Sequence, residues 1–144
     1  MGVEAVSHRY SCEVAKHIEL AKKFLAKGRG LIDRDPVQAS EKLYKAAEEI
    51  VKALAIALEL PEASIASESG RWRTTLLDNA VRGIAKKLGI EDFRRWWASA
   101  YYLYVEGFHE ARLSSEAVKE WYGDVEAMVN LAEKVLRSLL INKV

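Results

Sequence analysis

Cysteine is nearly missing from this chain. Cys12 stands alone, so no internal disulfide can form, and a reducing, cytoplasmic setting is the expectation. Long apolar runs are missing too. The best uncharged stretches, such as Ala53–Leu58, fall far short of the ~20 residues that span a bilayer, so no membrane partner is expected. The first residues, MGVEAVSHRYSCEVAKH, lack the apolar core of a secretory signal. They also lack the Ser or Thr that a myristoylation signal carries at its sixth position. Neither charge sign dominates: 22 basic and 21 acidic residues leave a formal net charge of +1. Bulk charge therefore points to neither nucleic acid nor a membrane surface. No stretch alternates apolar and polar residues over six or more positions, which excludes a sheet. No glycine loop of the phosphate-binding kind occurs; Gly28-Arg-Gly30 reads as a helix-end signal, past which the helix can still run on through Leu31-Ile32.

What is present is helical periodicity. Asp35–Leu58 reads as one long helix and organises the rest. Asp35 can cap the first turn, and Pro36 takes the first helical position, where its missing N–H costs nothing. Leu43, Ala47, Ile50, Leu54 and Ala57 form one apolar row, and Tyr44, Val51 and Leu58 a second. A helix apolar on two sides needs neighbours on two sides, so it belongs inside a bundle. Glu41–Lys45 and Glu48–Lys52 occupy the opposite side in the favourable order.

The other segments follow the same rule. A first helix begins near Ser7 or Ser11, with Val14, Ile18, Ala21, Leu25 and Gly28 on one face. After Leu60-Pro61, PEASIASESG reads as a mobile loop or a short extra turn. A third helix spans about Arg71–Leu88, closed by Gly89. The fourth carries Phe93, Trp97, Ala100/Tyr101, Tyr104 and Phe108. The fifth starts near Ser114 or Ser115 and carries Val118, Trp121, Val125, Met128, Ala132, Val135 and Leu139. The expectation is one domain over residues 1–144: an all-α antiparallel bundle of about five helices. Its aromatic content exceeds what one small core needs, so a homodimer is expected.

Gln38–Ala55, QASEKLYKAAEEIVKALA, and Glu106–Ala111, EGFHEA, resemble the characteristic runs of an archaeal family of small proteins called PaREP. The resemblance extends from about residue 13 to residue 138. That family looks related to the HEPN helical bundles, which pair with nucleotidyltransferases or act as ribonucleases. The resemblance implies a HEPN-like all-α fold, a cytoplasmic setting and a partner that is protein, nucleotide or RNA; a nucleotidyltransferase is one such partner. The ribonuclease pattern of that group has four to six residues between an Arg and the His that follows it, and it is missing here. His109 would need Arg at 102–104, which are Tyr, Leu and Tyr; His17 would need it at 10–12, which are Tyr, Ser and Cys. His8 has no Arg before it.

Three constellations could carry chemistry. Glu106, His109 and Glu110 include a Glu-x-x-His spacing, which puts both side chains on one helix face, as in di-iron bundles. Glu13 and His17, four apart on the first helix, could complete a polar pocket if that helix faces the fourth. Such bundles need two motifs and two more carboxylates, and with one copy the bland assignment is pairing with Arg112, without metal or cofactor. The third constellation is basic and aromatic. Arg71, Arg73, Arg82, Lys86, Lys87, Arg94 and Arg95 surround Trp72, Trp96 and Trp97, with Asp78, Glu91 and Asp92 leaving a balance of 7 − 3 = +4. Cations for phosphates and rings for bases are what a nucleic-acid surface needs. The bland alternative is solvated helix faces around a core tryptophan, with Tyr101, Tyr102 and Tyr104 as packing. The leading expectation is a non-enzymatic binding domain. The alternative is an enzyme: a ribonuclease with a non-standard catalytic set, or a metal-dependent one using Glu106, His109 and Glu110.

Overall fold

Asp35 starts the central helix as its sequence requires: its Oδ1 accepts from the Gln38 N–H at 3.1 Å, and Pro36 follows. In the computed structural model, which describes the backbone over residues 2–141 and side chains over 10–141, the chain forms six α-helices and one π-helical turn, with no strand among the described residues. These are α1 (Gly2–Leu31), α2 (Pro36–Ala57), α3 (Pro61–Ser69), α4 (Thr74–Leu88), α5 (Asp92–Tyr102), the π-helix (Leu103–His109) and α6 (Ser115–Ile141). The all-α bundle is as expected. Every other element packs against α2. Leu43, Ile50 and Leu54 are fully buried, as are Ala46, Ala47, Ala53 and Ala55, whose small side chains let neighbours approach closely.

The pairing of α1 with α2 is antiparallel: His17 meets Glu49, and Gly28 meets Ala39 and Leu43. Lys22–Glu133 at 3.1 Å ties α1 to α6, and Ser99 donates to Asp124 at 2.5 Å between α5 and α6. The expected Glu41–Lys45 and Glu48–Lys52 pairs form at 3.7 and 3.8 Å. Gly89 takes the left-handed conformation (φ +68°) that closes α4.

The bundle differs from the sequence expectation in four places. The helix α1 begins at Gly2, so Ser7 and Ser11 lie inside it rather than capping it. Gly28 is not an end signal. The helix continues to Leu31, and a Cβ at Gly28 would stand 2.8 Å from Leu43 Cδ2, so glycine there marks a close crossing. PEASIASESG is a helix in its own right, α3, opened by Pro61 and closed by Gly70 at φ +80°. The fourth stripe also changes register. Phe93, Trp97 and Ala100 are buried as expected, but Leu103 and Gly107 then take the inner positions, and Tyr104 and Phe108 are half-buried. The cause is the π turn. Its wider spacing, seen where the Glu110 N–H reaches Val105 O at 2.9 Å, rotates later residues out of a 3.6-residue rhythm.

Candidate functional site

Helices α4 and α5 are joined by Gly89-Ile90-Glu91 and pack side by side. Residues spaced three and four apart then share a face: Asp78, Val81 and Arg82 on α4; Arg94, Trp97, Ala98 and Tyr101 on α5. These faces wall an open groove of about 800 Å³, which Thr74, Thr75 and Arg95 also line. Trp97 is nearly buried at its base and Tyr101 is 40% exposed. Each groove arginine holds a carboxylate three or four positions before it: Arg82–Asp78 at 3.0 Å, Arg94–Glu91 at 3.5 Å and Arg95–Asp92 at 2.7 Å. Exposed pairs of this kind contribute only about 0.2–1 kcal/mol, so an incoming phosphate can displace the carboxylates. No side chain caps the first turn of α4, where Thr74 and Thr75 lie.

The basic candidates thus divide. Arg94 and Arg95 enter the groove. Lys86 lines a smaller cleft of about 350 Å³ that shares Arg82, Glu91 and Arg94. Lys87 turns away and donates to Leu58 O at 3.1 Å. Arg71 and Arg73 are exposed on the segment before α4 and do not line the groove. Trp72 and Trp96 are half-buried against the core. Charge and apolar periodicity alone do not single out Arg82 or Tyr101; the spacing of Asp78 with Arg82, and of Arg94 with Trp97 and Tyr101, is the sequence signal that places them on the groove faces.

The π-helix gathers a second set. Tyr44 of α2 stacks on Tyr104 (centroids 4.0 Å, planes 17° apart), and Tyr104 lies 6.2 Å from Tyr101, 6.2 Å from Phe108 and 4.5 Å from His109. Burial pushes the Tyr44 phenol well above its usual range, and Glu48 adds to this. Glu106 does not join His109 in a metal-like cluster. It accepts from Arg112 Nε at 2.8 Å, and Glu110 lies 3.9 Å from the same guanidinium. Among the described residues no three His, Cys, Asp or Glu side chains converge so as to hold an ion.

Glu13 and His17 do not complete this set. The helix α1 packs on α2 and α6 and does not reach the π-helix among the described residues. Glu13 instead lines a separate cleft beside Tyr10 and Glu59. His17 Nδ1 lies 2.7 Å from Glu49 Oε1, and Lys52 donates to Glu49 Oε2 at 3.2 Å. Burial raises the Glu49 pKa, but the hydrogen bonds from His17 and Lys52 outweigh it and hold the carboxyl below its usual range. A depressed carboxylate stabilises the fold above its unfolded pKa and loses that contribution as pH falls through the folded value. As pH falls through the usual glutamate range and below it, Glu49→Gln is therefore expected to flatten the acid loss of stability. Urea unfolding across that range checks it; an unchanged slope would reject the assignment.

The run QASEKLYKAAEE on α2 and the EGFHEA run on the π-helix meet here: Tyr44 stacks on Tyr104, and a Cβ at Gly107 would reach Ser40. The model of the archaeal PaREP1/PaREP8 family matches residues 16–129, most of the chain. This chain belongs to the archaeal PaREP1/PaREP8 family. It is similar to a crystal structure of a Sulfolobus solfataricus protein, with 35% identity and a TM-score of 0.68 over 85% of this chain and 95% of that one. It is similar also to a solution structure of the Orf c02003 protein, with 35% identity and a TM-score of 0.64 over 85% of this chain and 90% of that one. Among curated proteins none matches. No helix among the described residues of this PaREP chain is long and apolar enough to cross a membrane.

Proposed function

We propose that this PaREP chain is a non-enzymatic binding domain that takes a nucleotide or an RNA strand in the α4–α5 groove. One observation carries the reading: Arg82, Arg94 and Arg95 line, together with the 40% exposed ring of Tyr101, a single recess large enough for a nucleotide. Guanidiniums bind phosphate oxygens in pairs, and a tyrosine face stacks on any base. The missing Arg-to-His spacing supports the non-enzymatic part, as does the pairing of Glu106 and Glu110 with Arg112.

Titrating the protein against single-stranded oligouridylate tests this. Affinity is expected to fall steeply with salt, and Arg94→Ala with Arg95→Ala together to lower it and flatten the salt slope by about 2. Both side chains are exposed, so the variants keep their fold, which circular dichroism verifies. Failure to bind nucleotide or oligomer even at low salt would remove the reading.

A further inference from the structure

Tyr101 lines the groove and also touches rings outside it. Its ring is the first of a connected series. Tyr101 to Tyr104 is 6.2 Å between centroids, Tyr104 to His109 is 4.5 Å, and Phe108 to His109 is 5.1 Å. Tyr101 and His109, at the two ends, are exposed; Tyr104 and Phe108 between them are half-buried. Tyr44 stacks on Tyr104 and contacts Tyr101 and Trp97, so the series is fixed to α2 and to the base of the groove. Guanidiniums stand at both ends, each held by carboxylates. Arg94 and Arg95 are at the groove, and Arg112 stands beyond the π-helix beside Glu106 and Glu110.

A π turn weakens local hydrogen bonding, and such turns recur at functional sites. Here the turn moves Tyr104 and Phe108 out of the inner row and leaves His109 exposed. The ring spacings, 4.5 to 6.2 Å, are those of packed aromatic pairs, and the exposed members at the two ends, Tyr101 and His109, leave ring surface on which a base can stack. A mononucleotide fills the groove alone; only a strand can also use the π-helix.

We infer that the binding surface continues from the groove across Tyr101 and Tyr104 to His109, and that its ligand is a single nucleic-acid strand of several nucleotides. This rests on the groove reading proposed above and adds a second, aromatic half to the site.

The test compares uridine monophosphate with tetra- and octauridylate at low salt, using fluorescently labelled ligands and fluorescence anisotropy. Affinity is expected to rise steeply with length. His109→Ala is expected to lower octamer affinity about tenfold, the scale of one lost base-stacking contact, while leaving monophosphate binding unchanged. Arg95→Ala is expected to lower both. Because His109 is exposed, its variant keeps the fold; Phe108→Leu, which retains apolar bulk but removes the ring, gives an independent check. Equal affinity for monophosphate and octamer would overturn the inference, as would an octamer insensitive to His109→Ala and Phe108→Leu. Either result leaves the groove reading standing if Arg95→Ala still acts. If no nucleic acid binds, both fall, and the surface is left to a protein partner.

Discussion

Gly107→Ala is expected to destabilise the bundle by about 3 kcal/mol, near the upper end for overpacking a tight core. A Cβ at Gly107 would stand 2.1 Å from Ser40 Oγ and 2.6 Å from Ser40 Cβ. Rotation of the Ser40 hydroxyl relieves only the first clash. The second involves an atom fixed to the backbone of α2, so one helix must move. Ser40 is fully buried and its hydroxyl donates to Pro36 O at 2.8 Å, which leaves no slack on that side. Against this stands the roughly 1 kcal/mol that alanine gains over glycine within a helix, too little to compensate. A fall in melting temperature of about 10 °C is the expected readout for a chain of this size. Ser40→Gly in the same molecule removes both clashing atoms and is expected to recover most of the loss. A single Gly107→Ala variant as stable as the parent would mean that α2 and the π-helix do not cross this closely.

Phe93→Ala is expected to cost about 3–5 kcal/mol, because a fully buried ring is exchanged for a cavity. Phe93 is 0% exposed and sits in the first turn of α5. It is the residue that seats α5 on the core; Trp97 and Ala100 continue the same inner row. The next two residues, Arg94 and Arg95, face the groove. The consequence is therefore larger than stability alone. Loosening the start of α5 also moves the groove arginines relative to α4, so oligouridylate binding is expected to weaken even where the variant remains folded. Denaturant unfolding gives the first quantity and anisotropy the second. Phe93→Leu, which keeps most of the buried volume, is expected to lose far less of either. If Phe93→Ala unfolds at the same denaturant concentration as the parent, the burial of this ring is wrongly assigned.

The two substitutions illustrate different kinds of legibility. Phe93 stood out in the sequence because it begins a four-three apolar row, and the structure buries it. Gly107 did not. Nothing local marks a glycine as a crossing point, because the atom it makes room for belongs to Ser40, 67 positions earlier in the chain. The same holds for Gly28, whose helical context suggested an end and whose reason is Leu43 on the next helix.

The candidate sites divide similarly. Glu13, His17, Glu106 and His109 carry the right residue types at the right spacings on their own helices. Spacing reports only which residues share a face, not which faces meet. The packing sends His17 to Glu49, 32 positions away, which no spacing announced, while Glu106 takes Arg112, six positions on, as the simpler sequence assignment expects. The basic stretch had the opposite fate: seven cations read as one patch, and the helix phase admits Arg82, Arg94 and Arg95 to the groove while turning Lys87 to a backbone carbonyl.

By itself, then, the order of residues determined that the chain is helical, which rows are apolar, that Asp35 opens α2, and that α2 must be surrounded. Those are consequences of periodicity and capping, which act within a few residues. Only the tertiary structure decided that the last turn of the fourth stripe widens into a π-helix, and that α4 and α5 part to form a groove. It also decided that the aromatic side chains of α2, α5 and the π-helix join into one series. Each of these depends on how closely two distant backbones can approach, and that distance is set by side chains far apart in sequence.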